Sequence, residues 1–246
     1  MNATKLLLLG QLFIASYATA TTWGPPKSVD DPIKPGATCK GAEPMSSGSY
    51  IYQWPSKYDQ VFWPLTDENS LWVCPQSGYV AFLGDFELTP EEVAAVKLRL
   101  GQSYKPIRGK WTLSEKLKWL KESYDSRSKP EDFNVQLLRV LAYYYDGELN
   151  DYETANKFRK AALERIDALL LTNLDEAKRL QYLFVSAAYH REFGETEKSD
   201  EMVNLLTTAL RDSADKEIAG FVKYLTELKQ DIPLIVPGGS LAPEQR

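Results

Sequence analysis

Between residues 133 and 214 the apolar positions recur three and four apart, and two short polar turns break the recurrence, a spacing that predicts paired helices. Phe133, Leu137, Val140, Leu141 and Tyr144 form the first stripe, and Ala155, Phe158, Ala162, Leu163, Ile166 and Leu170 the second, over residues 152–171. A third stripe, Leu180, Leu183, Phe184, Ala187 and Ala188, continues to Gly194, and a fourth runs through Met202, Val203, Leu205, Leu206 and Leu210. The turns read Asn150-Asp151-Tyr152-Glu153-Thr154-Ala155 and Gly194-Glu195-Thr196-Glu197-Lys198-Ser199. In each, a small residue follows where the two helices of a pair must approach closely. That repetition is the mark of a helical hairpin repeat.

Further helices flank this region. Thr89-Pro90-Glu91-Glu92 combines a Thr cap, a Pro at the first helical position and an acidic third residue. Val93, Val96 and Leu100 form its buried stripe, and Gly101 offers a stop. Residues 104–111 read as a solvated connector, favoured over an anion cradle built from Lys105, Arg108 and Lys110. Thr112-Leu113-Ser114-Glu115 opens a helix to about Ser126, and Pro130-Glu131-Asp132 starts the next with acidic residues where the helix dipole favours them. Asp175 and Glu176 occupy the first turn of another, capped by Thr172 or Asn173. A final helix over residues 215–229 carries Ile218, Phe221, Val222, Leu225 and Leu228 and suits a terminal cap.

Before residue 89 the periodicity changes. Residues 21–49, rich in Pro and Gly, read as an extended lead-in without regular elements, partly disordered to about Ala37. Residues 50–88 then concentrate aromatic side chains, among them Tyr50, Tyr52, Trp54, Trp63, Trp72, Tyr79 and Phe82. Alternation in Tyr50-Ile51-Tyr52-Gln53-Trp54, and the runs Leu71-Trp72-Val73-Cys74 and Tyr79-Val80-Ala81-Phe82 joined by Pro75-Gln76-Ser77-Gly78, predict two or three short strands. An isolated ribbon is marginal in water, so its aromatic face is expected to pack on the first helices.

The first twenty residues form a secretory signal. Lys5 gives the positive start, residues 6–15 the apolar run, and Ala18-Thr19-Ala20 the cleavage site, so the mature chain is expected to begin at Thr21 and to lie in the periplasm or outside the cell. No later apolar run is long enough to span a bilayer. The chain of 246 residues is 43% hydrophobic, enough for a core, with a formal net charge of −5. An acidic chain without a basic block argues against nucleic acid as a partner, because phosphate binding needs clustered cations.

The two turns resemble those of tetratricopeptide-type repeats. Asp151, Tyr152, Ala155 and Ala162-Leu163 match in the first unit, and Gly194, Ser199 and the earlier Ala187 in the second. Asn150 replaces the turn Gly and must enter the left-handed region. A second resemblance lies in Cys74-Pro75-Gln76-Ser77-Gly78-Tyr79-Val80-Ala81-Phe82 with Asp85-Phe86. It is similar to the Cys-Pro-x-Cys-Gly-Tyr knuckle of an uncharacterised bacterial family in which such elements precede tetratricopeptide-like helices. Ser77 stands where that pattern has its second Cys.

The expected architecture is therefore mainly α, with hairpin repeats of tetratricopeptide type and a small N-terminal aromatic-rich β ribbon. Its parts are the signal (1–20), the lead-in (21–49), the β module (50–88), the helical domain (89–230) and a flexible tail (231–246). Two cysteines and one histidine make a poor soft-ligand metal site and lack a Cys-x-x-Cys redox spacing, so Cys39 and Cys74 read as a disulfide. Closing that loop is worth roughly 4 kcal/mol in the chain-entropy picture. Tyr143, Tyr144 and Tyr145, with His190 and Arg191, are candidates for contacting a partner. No nucleophile motif accompanies His190, and no phosphate-cradling or dinucleotide glycine pattern occurs, so no catalytic residue, cofactor or metal is expected. The function this points to is non-catalytic recognition of a protein or peptide. The alternatives are envelope-glycan binding by the aromatic module and hydrolysis by scattered carboxylates.

Overall fold

The structure, a computed structural model, describes residues 22–46, 64–107 and 109–238. The signal segment, the strand expected at residues 50–54, Arg108 and the last eight residues lie outside the described residues.

Seven helices among the described residues carry the mainly helical fold. They are α1 (Pro90–Ser103), α2 (Leu113–Asp125), α3 (Glu131–Tyr143), α4 (Tyr152–Leu170), α5 (Glu176–Glu192), α6 (Thr196–Asp212) and α7 (Ala219–Leu228). Both threonine caps close full capping boxes: Thr89 accepts from the Glu92 N–H and Thr112 from the Glu115 N–H, and each glutamate reaches back to the cap. Asp151 and Asp175 cap α4 and α5 by accepting from the N–H of Thr154 and Lys178. α1 continues past Gly101 to Ser103, because one glycine weakens a helix without ending it. α3 packs on α4, α4 on α5 and α5 on α6, so neighbours in sequence are neighbours in space. Both hairpin turns use left-handed backbone, Asn150 at φ 54° and Gly194 at φ 74°.

The lead-in is built from strands, a correction to the expectation of an irregular, partly disordered segment. β1 (Thr22–Trp23) pairs with β4 (Pro44–Ser46), and β2 (Lys27–Asp30) with β3 (Thr38–Gly41), both antiparallel. The prolines do not forbid this, since Pro25, Pro26, Pro32 and Pro35 fall between strands and Pro44 opens one. Asp31 makes the β2 to β3 turn, its Oδ1 accepting from the N–H of Ile33 and Lys34 at 2.9 and 3.0 Å. β5 (Leu71–Val73) and β6 (Val80–Phe82) form where the β-rich runs place them and extend the same sheet, in the order β2-β3-β5-β6. The Cys39–Cys74 disulfide joins β3 to the turn after β5, with both residues fully buried.

The sheet docks on α2 through hydrogen bonds and stacked rings. Ser123 Oγ accepts from the Val80 N–H and Tyr124 Oη from the Phe82 N–H, both at 3.1 Å. Phe82 and Tyr124 stack at 5.5 Å. Arg127, just beyond α2, completes the joint. Its guanidinium donates to Asp85 Oδ1 at 2.8 Å, Glu92 Oε1 at 3.0 Å and Tyr79 Oη at 2.8 Å, while 1% of the side chain is exposed.

The last described residues are packed rather than free. A 3-10 segment, Lys229–Leu234, runs through Pro233, and Ile232 and Ile235 are buried in the cluster that includes α5. The boundary expected at residue 230 therefore moves outward, at least to Gly238, whose N–H donates to Glu192 Oε1 at 3.0 Å.

Burial acts to raise the Asp85 carboxyl, but hydrogen bonds from Lys129, Arg127 and Tyr124 outweigh it and hold it below its usual range. Glu92 shows the same balance, with Arg127 and the Thr89 N–H overcoming burial. A depressed folded pKa gives stability that is complete above the unfolded value of about 4 and is lost as pH falls through the folded one. Arg127→Ala is expected to cost about 3 kcal/mol in urea unfolding at pH 7. It should also flatten the loss of stability below pH about 4; an unchanged acid slope would place that sensitivity elsewhere.

Candidate functional site

α5 is apolar nearly all the way round, and helices on several sides cover it. Leu180, Leu183, Phe184, Val185, Ala187, Ala188 and Tyr189 are all buried, with α4, α6, α7 and the 3-10 segment packed against it. Its C-terminal turn holds His190, Arg191 and Glu192, three polar side chains that must find partners inside or beside a core.

His190 is buried, with 6% of its surface exposed. Its Nδ1 lies 2.7 Å from Glu195 Oε2, and the Glu195 N–H donates to the His190 carbonyl at 2.9 Å, so one residue closes the turn twice. The imidazole bond, followed by Lys198 at 3.1 Å, holds the Glu195 carboxyl below its usual range. Across the helix pair, burial pushes Asp167 of α4 upward, and the Glu195 charge adds to this. Ser186 donates to Asp167 at 3.5 Å. The serine thus faces a carboxylate, and the imidazole faces Glu195, so this turn does not assemble the serine–imidazole contact of a nucleophilic triad. Arg191 is half-buried and reaches Asp200 Oδ1 at 3.3 Å.

The three tyrosines lie at the end of α3, which passes into a π turn at Tyr144–Glu148. Tyr144 is 1% exposed and donates to the Leu65 carbonyl at 3.2 Å. Tyr143 meets it edge-on at 5.8 Å, and Tyr145 packs on Phe158 at 5.4 Å, both half-buried. All three pack against the N-terminal core cluster. All three tyrosines of the run are therefore used in packing.

Two residues not singled out in the sequence, Arg159 and Glu192, link the two turns. Arg159 of α4, fully buried, pairs with Asp146 of the π turn and donates to Asn156 Oδ1 at 2.7 Å. Its guanidinium lies 5.9 Å from the ring centre of Tyr152. The Tyr152 hydroxyl donates to Glu192 Oε1 at 2.6 Å, the atom that also receives the Gly238 N–H. The signal was available: Arg159 falls at the helical spacing of Ala155, Ala162 and Ile166, and Glu192 at that of Val185, Ala188 and Tyr189. A charge on an apolar stripe announces a buried partner.

No family model, curated protein or solved structure matches the chain.

Tyr152→Phe removes a donor from Glu192 Oε1 and is expected to cost about 1–2 kcal/mol in urea unfolding. Faster hydrogen exchange at the Gly238 amide should accompany it; an unchanged amide would show that the C-terminal segment is held without this bond.

Proposed function

We propose that the chain is an exported, non-catalytic protein whose helical hairpins, of tetratricopeptide type, recognise a protein or peptide. The observation that carries this reading is the sequential packing of α3, α4, α5 and α6 around turns that use Asn150 and Gly194 in left-handed conformations. Stacked hairpins of this kind present extended surfaces to partners. The buried disulfide suits an oxidising compartment such as a signal sequence would deliver it to. Polar side chains on the interior faces bind one another, which supports a recognition role over chemistry: Glu195 holds His190, and Glu192 holds Tyr152 and Gly238.

Among the described residues, the aromatic rings of the β module favour this reading over glycan binding. Trp72 is buried and tilts on Phe86 at 5.4 Å, and Tyr79 meets Phe86 edge-on at 5.5 Å. A stacking platform for sugars needs rings with an open face.

The full mature chain, immobilised and challenged with envelope extract, is expected to retain a defined protein that elutes under competition with the free chain. Retention of nothing above background would count against the interaction reading. Retention of glycan alone, with tryptophan fluorescence shielded from quenchers only when glycan is bound, would favour the other.

A further inference from the structure

Asp31, Cys39 and Cys74 each present one donor atom, and these atoms lie within 4.8 Å of one another, all three residues being buried. Asp31 is 5% exposed. Its Oδ1 is held by the N–H groups of Ile33 and Lys34, whereas among the described residues Oδ2 is buried without a hydrogen-bond partner. A carboxylate oxygen left bare in a protein interior costs free energy unless a cation or donor meets it. Beside the disulfide it meets neither.

We propose that reduction of the Cys39–Cys74 bond opens a site for a thiophilic divalent cation, held by both sulfurs and by Asp31 Oδ2. A thiol or phosphine reductant supplies two electrons and is itself oxidised, solvent supplies two protons, and the S–S bond breaks to give two thiols; the cation then displaces those two protons to solvent and forms two metal–sulfur bonds. Two thiolates and one carboxylate match the donor preferences of Zn²⁺, with a fourth position open to water. Around Zn²⁺, with Zn–S of about 2.3 Å, tetrahedral donors lie about 3.8 Å apart, so the present spacing needs shifts on the order of 1 Å.

The surroundings are arranged as a metal site requires. The two amides on Oδ1 fix the plane of the carboxylate and leave Oδ2 to bind, the role that outer partners play for ligating carboxylates. Cys74 lies in a rigid turn, its N–H on the Tyr79 carbonyl and its carbonyl receiving the Gly78 N–H, both at 2.8 Å. Cys39 is anchored in β3 between β2 and β5. Ligands from two strand ends and a hairpin turn would staple the same elements that the disulfide staples, so the sheet keeps its cross-link in either redox state.

The test uses the full mature chain, reduced with a phosphine in metal-free buffer and titrated with Zn²⁺, with Co²⁺ as the spectroscopic probe. The expected result is one ion per reduced chain, thiolate-to-cobalt charge-transfer absorption, and a higher thermal midpoint on adding Zn²⁺, none of which the oxidised chain shows. Asp31→Asn should bind Zn²⁺ about tenfold or more weakly while still forming the disulfide on reoxidation. Cys74→Ser should abolish binding of Co²⁺ as a thiolate complex. Equal affinity of Asp31→Asn and the unsubstituted chain would overturn the site, as would a reduced chain that keeps its helical circular dichroism and binds no Zn²⁺. A sheet lost on reduction and not restored by Zn²⁺ would overturn it too.

Discussion

One buried cation decides how the two halves of the molecule meet. Arg127 leaves α2 at a point where the sheet, α1 and the loop after β6 converge, and its guanidinium donates to a group from each. A charge this deeply enclosed is tolerable only with every direction of the fork occupied. Tyr79, Glu92 and Asp85 therefore cannot vary independently. Lys129 and the Tyr124 hydroxyl share Asp85, and Tyr124 also accepts from β6, so the ion pairs and the strand docking form a single network. Breaking any one contact leaves another buried group unsatisfied, which costs more than the contact itself contributes.

The helical half repeats that logic on a different scale. The apolar residues fall into two clusters, one containing the sheet with α1, α2 and part of α3, the other centred on α5. α3 belongs to both, with Leu137 and Val140 facing the first and Val135 the second. Buried charges also run between neighbouring helices, at Arg159 of α4 and Glu192 of α5. Each is answered by residues of a neighbouring turn: Asp146 for the first, Tyr152 and Gly238 for the second. Apolar packing is indifferent to small rotations of one helix on another, but directed polar contacts are not. These pairs give the register that the stripes of Leu and Ala leave open.

Much of the helical architecture was legible in the sequence because its signals are local. Capping boxes at Thr89 and Thr112, the stripes of α3 to α6 and the left-handed demand on Asn150 each depend on residues within one or two turns. The β5 and β6 strands were legible for the same reason. The lead-in was not, because β2 and β3 are too short to alternate visibly, and what stabilises them is remote: pairing with β5 and a covalent bond to Cys74. Proline density was a misleading guide there, since the prolines mark the turns between strands. The candidate side chains divide in the same way. His190 could be recognised as the sole imidazole, but its burial comes with the helices packed around α5, which spacing alone does not disclose. The C-terminal segment was missed because Ile232 and Ile235 are two isolated apolar residues around a proline, too few for a period, and only α5 gives them a place.

Ser77 shows how the turn after β5 persists where the resemblance would have a second cysteine. Its hydroxyl accepts from the Tyr79 N–H at 3.2 Å, a contact within the turn that needs no metal. Gly78 adds a constraint that no other residue satisfies. Its φ is 81°, and a Cβ at this position would lie 2.4 Å from the Tyr104 ring. That ring is fixed in turn, because the Tyr104 hydroxyl donates to the Pro75 carbonyl at 2.6 Å and its face meets Trp111 and Trp119. The turn is thus clamped from outside by Tyr104 and from inside by the disulfide. Cys74 is held in position by the backbone on both sides of it, whatever the state of its sulfur. Asp31 is anchored just as independently, by the amides of Ile33 and Lys34. The convergence of these groups is therefore a property of the folded sheet and its turns, and the covalent bond is laid across a geometry that the hydrogen bonds already define.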